Sequence, residues 1–229
     1  MQPYFFPYIG YFQLMRAVDL FIFYDDAQYM KGGWINRNRI FVRDETIWLS
    51  LPVHRGSREL AINQRHYLLG ESVADAENKI REGYAKAPAF ADYFPIISEP
   101  LAYENANVAE FNINLLKRVA KLLDINCQFA ASSDIGVPPT LKGQDKVIDI
   151  CNRVGASNYI NSIGGLDLYN SSAFDQANIN LSFLRARPTV RLCGELSDVS
   201  FLSIVHLIMG SPPEHMRTLL DNYDLVSPI

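Results

Sequence analysis

The chain has 229 residues, of which 48% are hydrophobic and 20% charged, a composition typical of a globular protein with a sizeable core. Its net charge of −4 argues against a nucleic-acid-binding protein, which usually carries a basic surplus. No apolar run reaches the roughly 18 to 20 residues of a membrane helix, and the proline-containing opening segment is unlike a signal peptide. Cys127, Cys151 and Cys193 form no C-x-x-C motif, so we expect a cytoplasmic protein without a structural zinc site.

The secondary structure predicted for the first half is a loop, a short helix and three strands. Pro3 and Pro7 exclude a regular helix from the opening residues. An apolar and aromatic run predicts a buried strand, and a later alternation with a period of two predicts a hairpin. These elements are a loop at 1–10, a helix at 11–17, strands at 18–24, 38–43 and 46–53, and a hairpin turn at Asp44-Glu45.

A helical block is predicted at about 72–124. Ser72 and Asn107 are the expected N-caps of its two helices, and Pro88 interrupts it. Downstream, short strands alternate with helices until two helices close the chain. These elements are strands near 127–130, 159–160 and 179–184, and helices at 144–154, 173–177, 199–209 and 213–222.

Strands that alternate with helices are typical of an α/β domain. We therefore expect residues 1–229 to form one α/β domain with a mostly parallel sheet of short strands and a helical C-terminus. The helical block is expected to be an insertion that forms a cap. In such sheets ligands bind outside the carboxyl ends of the strands, so polar residues at those ends are candidates for function.

The opening segment, MQPYFFPYIGY, combines a stiff backbone with aromatic side chains. Its prolines restrict the chain, and Gly10 allows a neighbouring group to approach closely. The phenylalanines of this segment are expected in the core, whereas Gln2, Tyr8 and Tyr11 have polar tips that can point at a ligand. We predict that Gln2 and Tyr8 bind substrate and that Tyr11 acts in catalysis.

Asp25 and Asp26 directly follow the predicted buried strand. A carboxylate in this position can bind Mg²⁺, accept a proton or hold a ribose, although aspartates are also common in turns. Because consecutive residues of a strand point to opposite faces, we expect one of the two to face a site. We predict that this residue is Asp26 and that it is catalytic.

A basic stretch lies within the acidic chain, and its most distinctive part is KGGWINRNR at 31–39. The two glycines form a loop that can approach phosphates, and the tryptophan can stack on a ring. In an extended segment the two arginines share one face, which suits a diphosphate, and the two asparagines share the other. The alternative is an exposed basic loop. The predicted substrate-binding residues are Trp34, Asn36, Arg37, Asn38 and Arg39.

A short strand runs into a Gly-Gly turn in the segment NYINSIGGLDLY at 158–169. Free backbone N–H groups at such a turn can hold an anion, so we predict that Asn161, Gly164 and Gly165 bind substrate. The sequence contains no Walker motif, no G-x-G-x-x-G and no serine nucleophile elbow. Its four histidines show no metal spacing, and the apolar run around His206 predicts a buried structural residue.

Taken in order, these segments resemble the WbqC-like protein family. The likeness spans nearly the whole chain and lies in MQPYFFPYIGYFQL, VDLFIFYDDAQYMKGGWINRNRI, LPV, GYAKAPAF, VIDICNRVGASNYINSIGGLDLY and FLSIVHLIM. Family members usually carry a short apolar strand before the Gln-Pro pair, so the resemblance implies a strand there. Residues 8–11, Tyr-Ile-Gly-Tyr, stand where nucleotidylyltransferases place His-x-Gly-His, with tyrosine in place of both histidines.

The resemblance implies an enzyme of bacterial surface-polysaccharide and O-antigen biosynthesis that acts on a sugar nucleotide. The expected reaction is transfer of an aminoacyl or acyl group to an amino sugar, with Mg²⁺ required if the enzyme uses ATP. Other glycan-biosynthesis enzymes are the expected partners. The alternative is a non-catalytic nucleotide-sugar-binding or assembly partner, which the lack of a nucleophile–base pair favours. A glycosyltransferase is a third hypothesis, weakened because no Asp-x-Asp stands near a strand end.

Overall fold

A computed structural model describes residues 1–187 and 201–228 of the chain, which form a mixed α/β structure. Short 3-10 turns lie at Ile62–Gln64, Glu99–Ala102, Ser132–Ile135 and Ile163–Leu168. The helices are α1 (Ile9–Arg16), α2 (Glu71–Tyr84), α3 (Phe90–Ser98), α4 (Val108–Leu122), α5 (Gly143–Val154), α6 (Ser171–Gln176), α7 (Ile204–Gly210) and α8 (Pro213–Leu220). The strands are β1 (Leu20–Phe23), β2 (Arg37–Val42), β3 (Glu45–Ser50), β4 (Gln128–Ala131), β5 (Asn158–Ser162), β6 (Asn180–Ala186) and β7 (Tyr223–Val226).

The strands pair in small groups, not in one large sheet. β1 pairs with β4 in parallel, and β2 forms an antiparallel hairpin with β3. β6 lies between β5, which runs parallel to it, and β7, which runs antiparallel. The predicted α/β class is confirmed, but the mostly parallel sheet is wrong, because the hairpin and β7 both add antiparallel pairs. The helical C-terminus is only partly right, since the chain after α8 pairs along β6 as β7.

The hairpin turn lies one residue earlier than predicted. Val42 pairs with Glu45, so Arg43 and Asp44 are the two turn residues. Their φ angles are 50° and 63°, and positive φ at both central residues is the signature of a type I′ turn. This turn matches the right-handed twist of the strands, which explains why the register starts directly at Glu45.

The helix starts confirm one predicted N-cap and correct two other predictions. The Asn107 side chain accepts hydrogen bonds from Ala109 N and Glu110 N, which confirms it as the N-cap of α4. Ser72 does not cap α2, because its hydroxyl donates back to Leu68 O. α1 begins at Ile9, two residues earlier than predicted. Pro7 lies before the helix, so its missing N–H and fixed φ do not prevent residues 9 and 10 from being helical.

The main hydrophobic core joins the opening segment to the helical block. Phe5 and Phe12 share it with Phe111 and Leu115 of α4. The block therefore packs into the core and does not form a separate cap. A smaller cluster around Phe174, Phe183, Ile179, Leu181 and Cys151 lies between α5, α6 and β6, and it confirms Cys151 as a core residue. That residues 1–229 form one domain stays a prediction.

Two sequence predictions touch the part of the chain that is not described. Cys193 and the first two residues of the helix predicted at 199–209 lie outside the described residues. Of the remaining residues, 204–209 lie in α7, whereas 201–203 precede it. Among residues 1–187 and 201–228, no helix combines the length and apolar character that crossing a membrane requires.

Candidate functional site

Polar side chains gather at the carboxyl ends of the parallel strands. Asp25 and Asp26 follow β1, and Ser132 follows β4, whose parallel pairing with β1 puts both ends at one edge. Met1 lies at the same edge, because its carbonyl oxygen accepts a hydrogen bond of 2.8 Å from Tyr24 N. This edge is where open α/β sheets bind ligands.

Asp25 links the two strands structurally. Its side chain is buried, and its Oδ1 accepts hydrogen bonds from Ser132 Oγ and Ser133 N, both at 3.0 Å. Its Oδ2 accepts from Ser133 Oγ at 2.6 Å and from Asn63 Nδ2 at 3.1 Å. Four donor atoms surround this carboxylate, although the single proton of Ser132 is shared with Asp26, so Asp25 holds the chain after β4 against the end of β1.

Asp26 also contacts Ser132, because Asp25 and Asp26 lie in a turn after β1 and not in the strand, where consecutive side chains would point to opposite faces. Its Oδ1 accepts a hydrogen bond from Ser132 Oγ at 2.5 Å, and its Oδ2 forms an ion pair with Lys146 Nζ from the first turn of α5. The Asp26 side chain is 29% exposed, whereas that of Lys146 is 11% exposed. Lys146 Nζ also lies 4.7 Å from the ring centroid of Tyr24. We call Asp26, Lys146, Ser132 and Tyr24 the carboxylate–lysine centre.

Tyrosines from β5 and the following turn extend this centre. Tyr169 Oη accepts a hydrogen bond of 2.9 Å from Asn161 Nδ2 and lies 3.1 Å from Tyr159 Oη. Partial burial, then the nearby charge of Asp26 and the neighbouring Tyr169, raise the pKa of Tyr24 to about 12. The ends of β1, β4 and β5 therefore contribute to one polar region.

One of the two glycines in the turn after β5 helps to shape this polar region. A side chain at Gly165 would begin 3.0 Å from Asn161 Nδ2, so glycine lets the turn pack against that amide. Asn161 Oδ1 accepts from Ser162 N, which fixes the amide that holds Tyr169. Gly164 has open space around its Cα, and its predicted role in binding stays a prediction.

The predicted arginine pair lies on one face of β2, as strand geometry requires. The guanidinium carbon of Arg37 lies 4.1 Å from the ring centroid of Trp48, and that of Arg39 lies 5.7 Å from Trp34. The two tryptophan rings are 5.8 Å apart and about two-fifths exposed. We call these four residues the tryptophan–arginine surface.

The two arginine side chains differ in their hydrogen bonds to the protein. Arg37 donates from Nε to Gly33 O at 3.4 Å and from Nη2 to Gly32 O. Arg39 Nε is buried and has no hydrogen-bond partner in the described part of the chain. A buried guanidinium N–H without an acceptor is costly. Within the described residues the Arg39 guanidinium is thus less fully hydrogen-bonded than that of Arg37, and its side chain as a whole is only half-buried.

A pocket opens beside this surface, lined by aromatic side chains. The rings of Tyr8 and Phe201 face each other with centroids 6.2 Å apart. A side chain at Gly10 would begin 2.4 Å from Tyr8 Cε2, so Gly10 permits the ring to lie against α1. Burial raises the pKa of Tyr8 above its usual value. The residues that line this aromatic pocket are Tyr4, Pro7, Tyr8, Trp34, Asn38 and Phe201.

Two predicted site residues from the opening segment have structural contacts. Tyr11 is 1% exposed, and its hydroxyl donates to the backbone carbonyl of Gln2 at 2.8 Å. Burial raises the pKa of Tyr11 well above its usual value. These contacts favour a packing role for Tyr11 over the predicted catalytic one. The Gln2 side chain is partly exposed, and its predicted binding role stays a prediction.

The two predicted asparagines hold backbone and do not face the arginines' side of β2. Asn38 donates to Phe6 O at 2.8 Å and to Phe5 O at 3.3 Å. It thereby supports a turn at which Phe6 has a φ of 41°, a conformation that costs a bulky residue energy. Asn36 donates to Leu51 O at 2.8 Å and accepts from Tyr29 Oη at 3.0 Å. Both side chains therefore support the backbone around the site, and Asn38 also lines the aromatic pocket.

The structure thus separates the predicted residues into two groups. Asp26 and Asn161 belong to the polar edge of the strands, whereas Tyr8, Trp34 and Arg39 belong to the aromatic pocket and the surface beside it. Sequence reasoning missed several members of both groups. Ser132 follows a predicted strand, so the argument that polar residues at strand ends are candidates for function could have found it. Lys146 lies on a helix, and only the fold brings it near Asp26. The residues missed are Tyr4, Tyr24, Trp48, Ser132, Lys146, Tyr169 and Phe201.

The residues at the strand ends do not make a preformed metal site. All four hydrogen bonds to Asp25 come from protein groups, and Asp26 pairs with Lys146. Within residues 1–187 and 201–228, no group of three or more histidine, cysteine, aspartate or glutamate side chains is placed to hold a metal ion.

Comparison with known proteins identifies the family. The model of the WbqC-like protein family matches residues 2–218, and the chain belongs to this family. The chain is also 27% identical to the uncharacterized protein Rv1507c of Mycobacterium tuberculosis (strain ATCC 25618 / H37Rv), across 95% of this chain and 96% of that protein. No solved structure matches the chain.

Proposed function

We propose that this protein is an enzyme of bacterial surface-polysaccharide biosynthesis that transfers an aminoacyl or acyl group to the amine of a nucleotide-linked amino sugar. The observation that carries the proposal is the carboxylate–lysine centre at the carboxyl edge of the strands. A partly exposed carboxylate there is fixed on both oxygens, by Ser132 and by Lys146. We expect the enzyme to act in the cytoplasm, alongside other enzymes of glycan biosynthesis.

Asp26 and Lys146 supply the two charges that such a transfer needs. The sugar amine attacks the carbonyl carbon of an activated acyl group, such as a thioester. The C–N bond forms, and the bond to the leaving group breaks. Asp26 accepts the proton that the attacking nitrogen loses and passes it to the leaving group. The Lys146 ammonium stabilises the negative charge that develops on the carbonyl oxygen.

The tryptophan–arginine surface supplies a place for the nucleotide part of the substrate. Arginine forks bind phosphate oxygens well, and the rings of Trp34 and Trp48 can stack on planar groups. In this proposal Arg39, whose Nε has no hydrogen-bond partner within residues 1–187 and 201–228, contributes more of the phosphate binding than Arg37. If ATP activates the acyl donor, Mg²⁺ would come with the nucleotide, held by its phosphates more than by protein carboxylates.

A non-catalytic role is the second candidate, and one observation favours it. Protein groups hold both oxygens of Asp26, an arrangement that also suits a purely structural ion pair. In that case the protein would bind a nucleotide sugar, or a partner enzyme, without converting it. Binding and turnover measured on the same variants separate the two candidates.

The first experiment is a thermal-shift screen of UDP-, GDP-, dTDP- and CMP-sugars, ATP and CoA thioesters, each with and without Mg²⁺. A ligand that binds the folded state alone raises the melting temperature. We expect a nucleotide sugar to stabilise the wild type and to lose its effect in the Arg37→Ala/Arg39→Ala double variant. Arg153→Ala, in an exposed arginine of α5, is the control. Unchanged affinity in the double variant would refute the phosphate assignment.

The second experiment tests the catalytic role of Asp26. We expect Asp26→Asn to reduce turnover at least about 100-fold, as loss of a general base does, and to leave substrate binding in place. Asp149→Asn is a matched control, because Asp149 is 28% exposed and pairs with Arg153 as Asp26 pairs with Lys146. Equal turnover in the two variants would refute Asp26 as the base, whereas ligand binding without turnover in the wild type would favour the non-catalytic candidate.

A further inference from the structure

The aromatic pocket has a size that discriminates between ligands. Its volume is about 160 Å³. A cavity of roughly 150 Å³ in another protein holds one benzene molecule, so this pocket has room for a single six-membered ring. A pyrimidine has one such ring, whereas the fused second ring of a purine would have to project into solvent.

The walls of the pocket suit the faces of a planar base. Tyr4, Tyr8, Trp34 and Phe201 surround the space, and most of the surface they offer is carbon. Stacking on aromatic side chains is the usual way in which proteins hold a single base. Burial raises the pKa of the Tyr4 and Tyr8 hydroxyls, so both keep their protons and can donate to a carbonyl group of the base.

Arg39 lies where a phosphate attached to that base would need a cation. Its guanidinium carbon is 5.7 Å from the ring centroid of Trp34, a wall of the pocket. Its buried Nε has no acceptor in the described residues. Arg37, by contrast, is held by the carbonyls of Gly32 and Gly33.

We propose that the aromatic pocket binds the ring of a pyrimidine nucleotide and that Arg39 binds the phosphate next to it. This inference rests on the proposed function only in taking a nucleotide as ligand, and it narrows the substrate to uridine, thymidine or cytidine nucleotides. It requires no turnover, so binding alone tests it.

The chain offers a direct spectroscopic readout, because it contains two tryptophans and both belong to the tryptophan–arginine surface. The Trp48→Phe variant leaves Trp34 as the single tryptophan, so tryptophan emission reports on this residue alone. We expect UMP to quench Trp34 emission in this variant and ribose 5-phosphate to leave it unchanged. In calorimetry with the full-length wild type, we expect UMP to bind at least about tenfold more tightly than GMP, because only the smaller ring enters the pocket.

Two further variants separate the ring from the phosphate. Trp34→Leu should weaken UMP binding by roughly 5- to 100-fold, the range found when a stacking aromatic is removed. Arg39→Gln should weaken binding of UMP but not of uridine, which lacks the phosphate. If Trp34→Leu fails to fold, Phe201→Ala replaces it, since Phe201 is 56% exposed.

Each contrary outcome has a defined meaning. Binding of GMP as tight as that of UMP would overturn the choice of a pyrimidine. UMP binding that neither quenches Trp34 nor weakens in Trp34→Leu would overturn the pocket and leave nucleotide binding intact. No binding of either mononucleotide would overturn the whole inference, whereas the transfer reaction would still be decided by its own product assay.

Discussion

Replacement of Asn112 by leucine should destabilise the protein strongly and also weaken the pocket. Asn112 is fully buried on α4, and its Nδ2 donates to Pro3 O at 2.8 Å and to Ile35 O at 2.7 Å. Its Oδ1 accepts from Tyr67 Oη at 3.0 Å. This one side chain therefore ties the helical block to the opening segment and to the residue after Trp34, which together carry the aromatic pocket.

The magnitude follows from those contacts. Leucine has a similar volume, so the cavity term is small, but Pro3 O loses its described partner, whereas Ile35 O can still accept from Tyr67. The Tyr67 hydroxyl has one proton and can keep Ile35 O as its acceptor, so two hydrogen bonds are lost at about 1 kcal/mol each; with an unsatisfied buried carbonyl at about 1 to 3 kcal/mol, the loss is roughly 3 to 5 kcal/mol. For a chain of this size that corresponds to a decrease in Tm of about 6 to 20 °C.

Urea unfolding measures this loss as a decrease in the midpoint concentration at constant slope. Asn114→Leu is the matched control, because Asn114 lies on the same helix but is only half-buried and should change stability by less than about 0.5 kcal/mol. A midpoint for Asn112→Leu equal to that of Asn114→Leu would refute the reasoning that this amide connects the two segments.

Three other predictions concern the site and its supports. Gly10→Ala should displace the Tyr8 ring and weaken nucleotide binding while changing Tm by only a few degrees. Fluorescence titration measures the binding and thermal melts measure Tm, and undiminished binding would contradict the packing of Tyr8 against Gly10. Asp26→Asn should lower the pKa of Tyr24 from about 12 but keep it above its usual value, because burial is the larger cause of the shift. If an NMR titration of ring-labelled tyrosine showed no decrease, the Asp26 charge would not act on Tyr24 as described. Burial lowers the pKa of His206, so its contribution to stability is present above the unfolded pKa of about 6.5 and is lost as pH falls through the lower folded value. The decrease in Tm from about pH 7.5 to about pH 5.5 should therefore be smaller in His206→Gln than in the wild type. An equal decrease in the two proteins would refute this role of His206.

Much of the fold was open to prediction because the signals are local. The period of two in β2 and β3, the cap at Asn107 and the glycine that ends α5 at Gly155 each depend on a few neighbouring residues. The sheet arrangement was not open in this way. Whether β7 forms depends on the free edge of β6, which lies about forty residues away in sequence, so no local pattern at Tyr223–Val226 announces it.

The candidate site shows the same division. The shared face of Arg37 and Arg39 follows from their position on β2, whereas Asp26 lies in the turn after β1, where strand alternation does not apply. The partners of these residues are distant in sequence. Lys146 reaches Asp26 across 120 positions, so the ion pair could not be found without the fold.

Asn38 and Tyr11 show that a polar residue can have a second role that its sequence position does not indicate. Their predicted site roles stay predictions, and in the structure each donates a hydrogen bond to the backbone of the opening segment. A buried polar side chain must find a hydrogen-bond partner, and a loop rich in proline offers many carbonyls that lack one. Polar residues beside such a loop are therefore as suited to holding it as to binding a substrate.

The most direct test of the proposed reaction is mass spectrometry of a UDP-linked amino sugar after incubation with the wild-type protein and an activated acyl or aminoacyl donor. Acyl transfer to nitrogen predicts a product heavier by the acyl group, with an amide at the sugar nitrogen. The N-acetylated sugar, whose nitrogen is already blocked, should give no product, and Asp26→Asn should give little. A product with the N-acetylated sugar, or none with any nucleotide-linked amino sugar and donor, would contradict the proposed function.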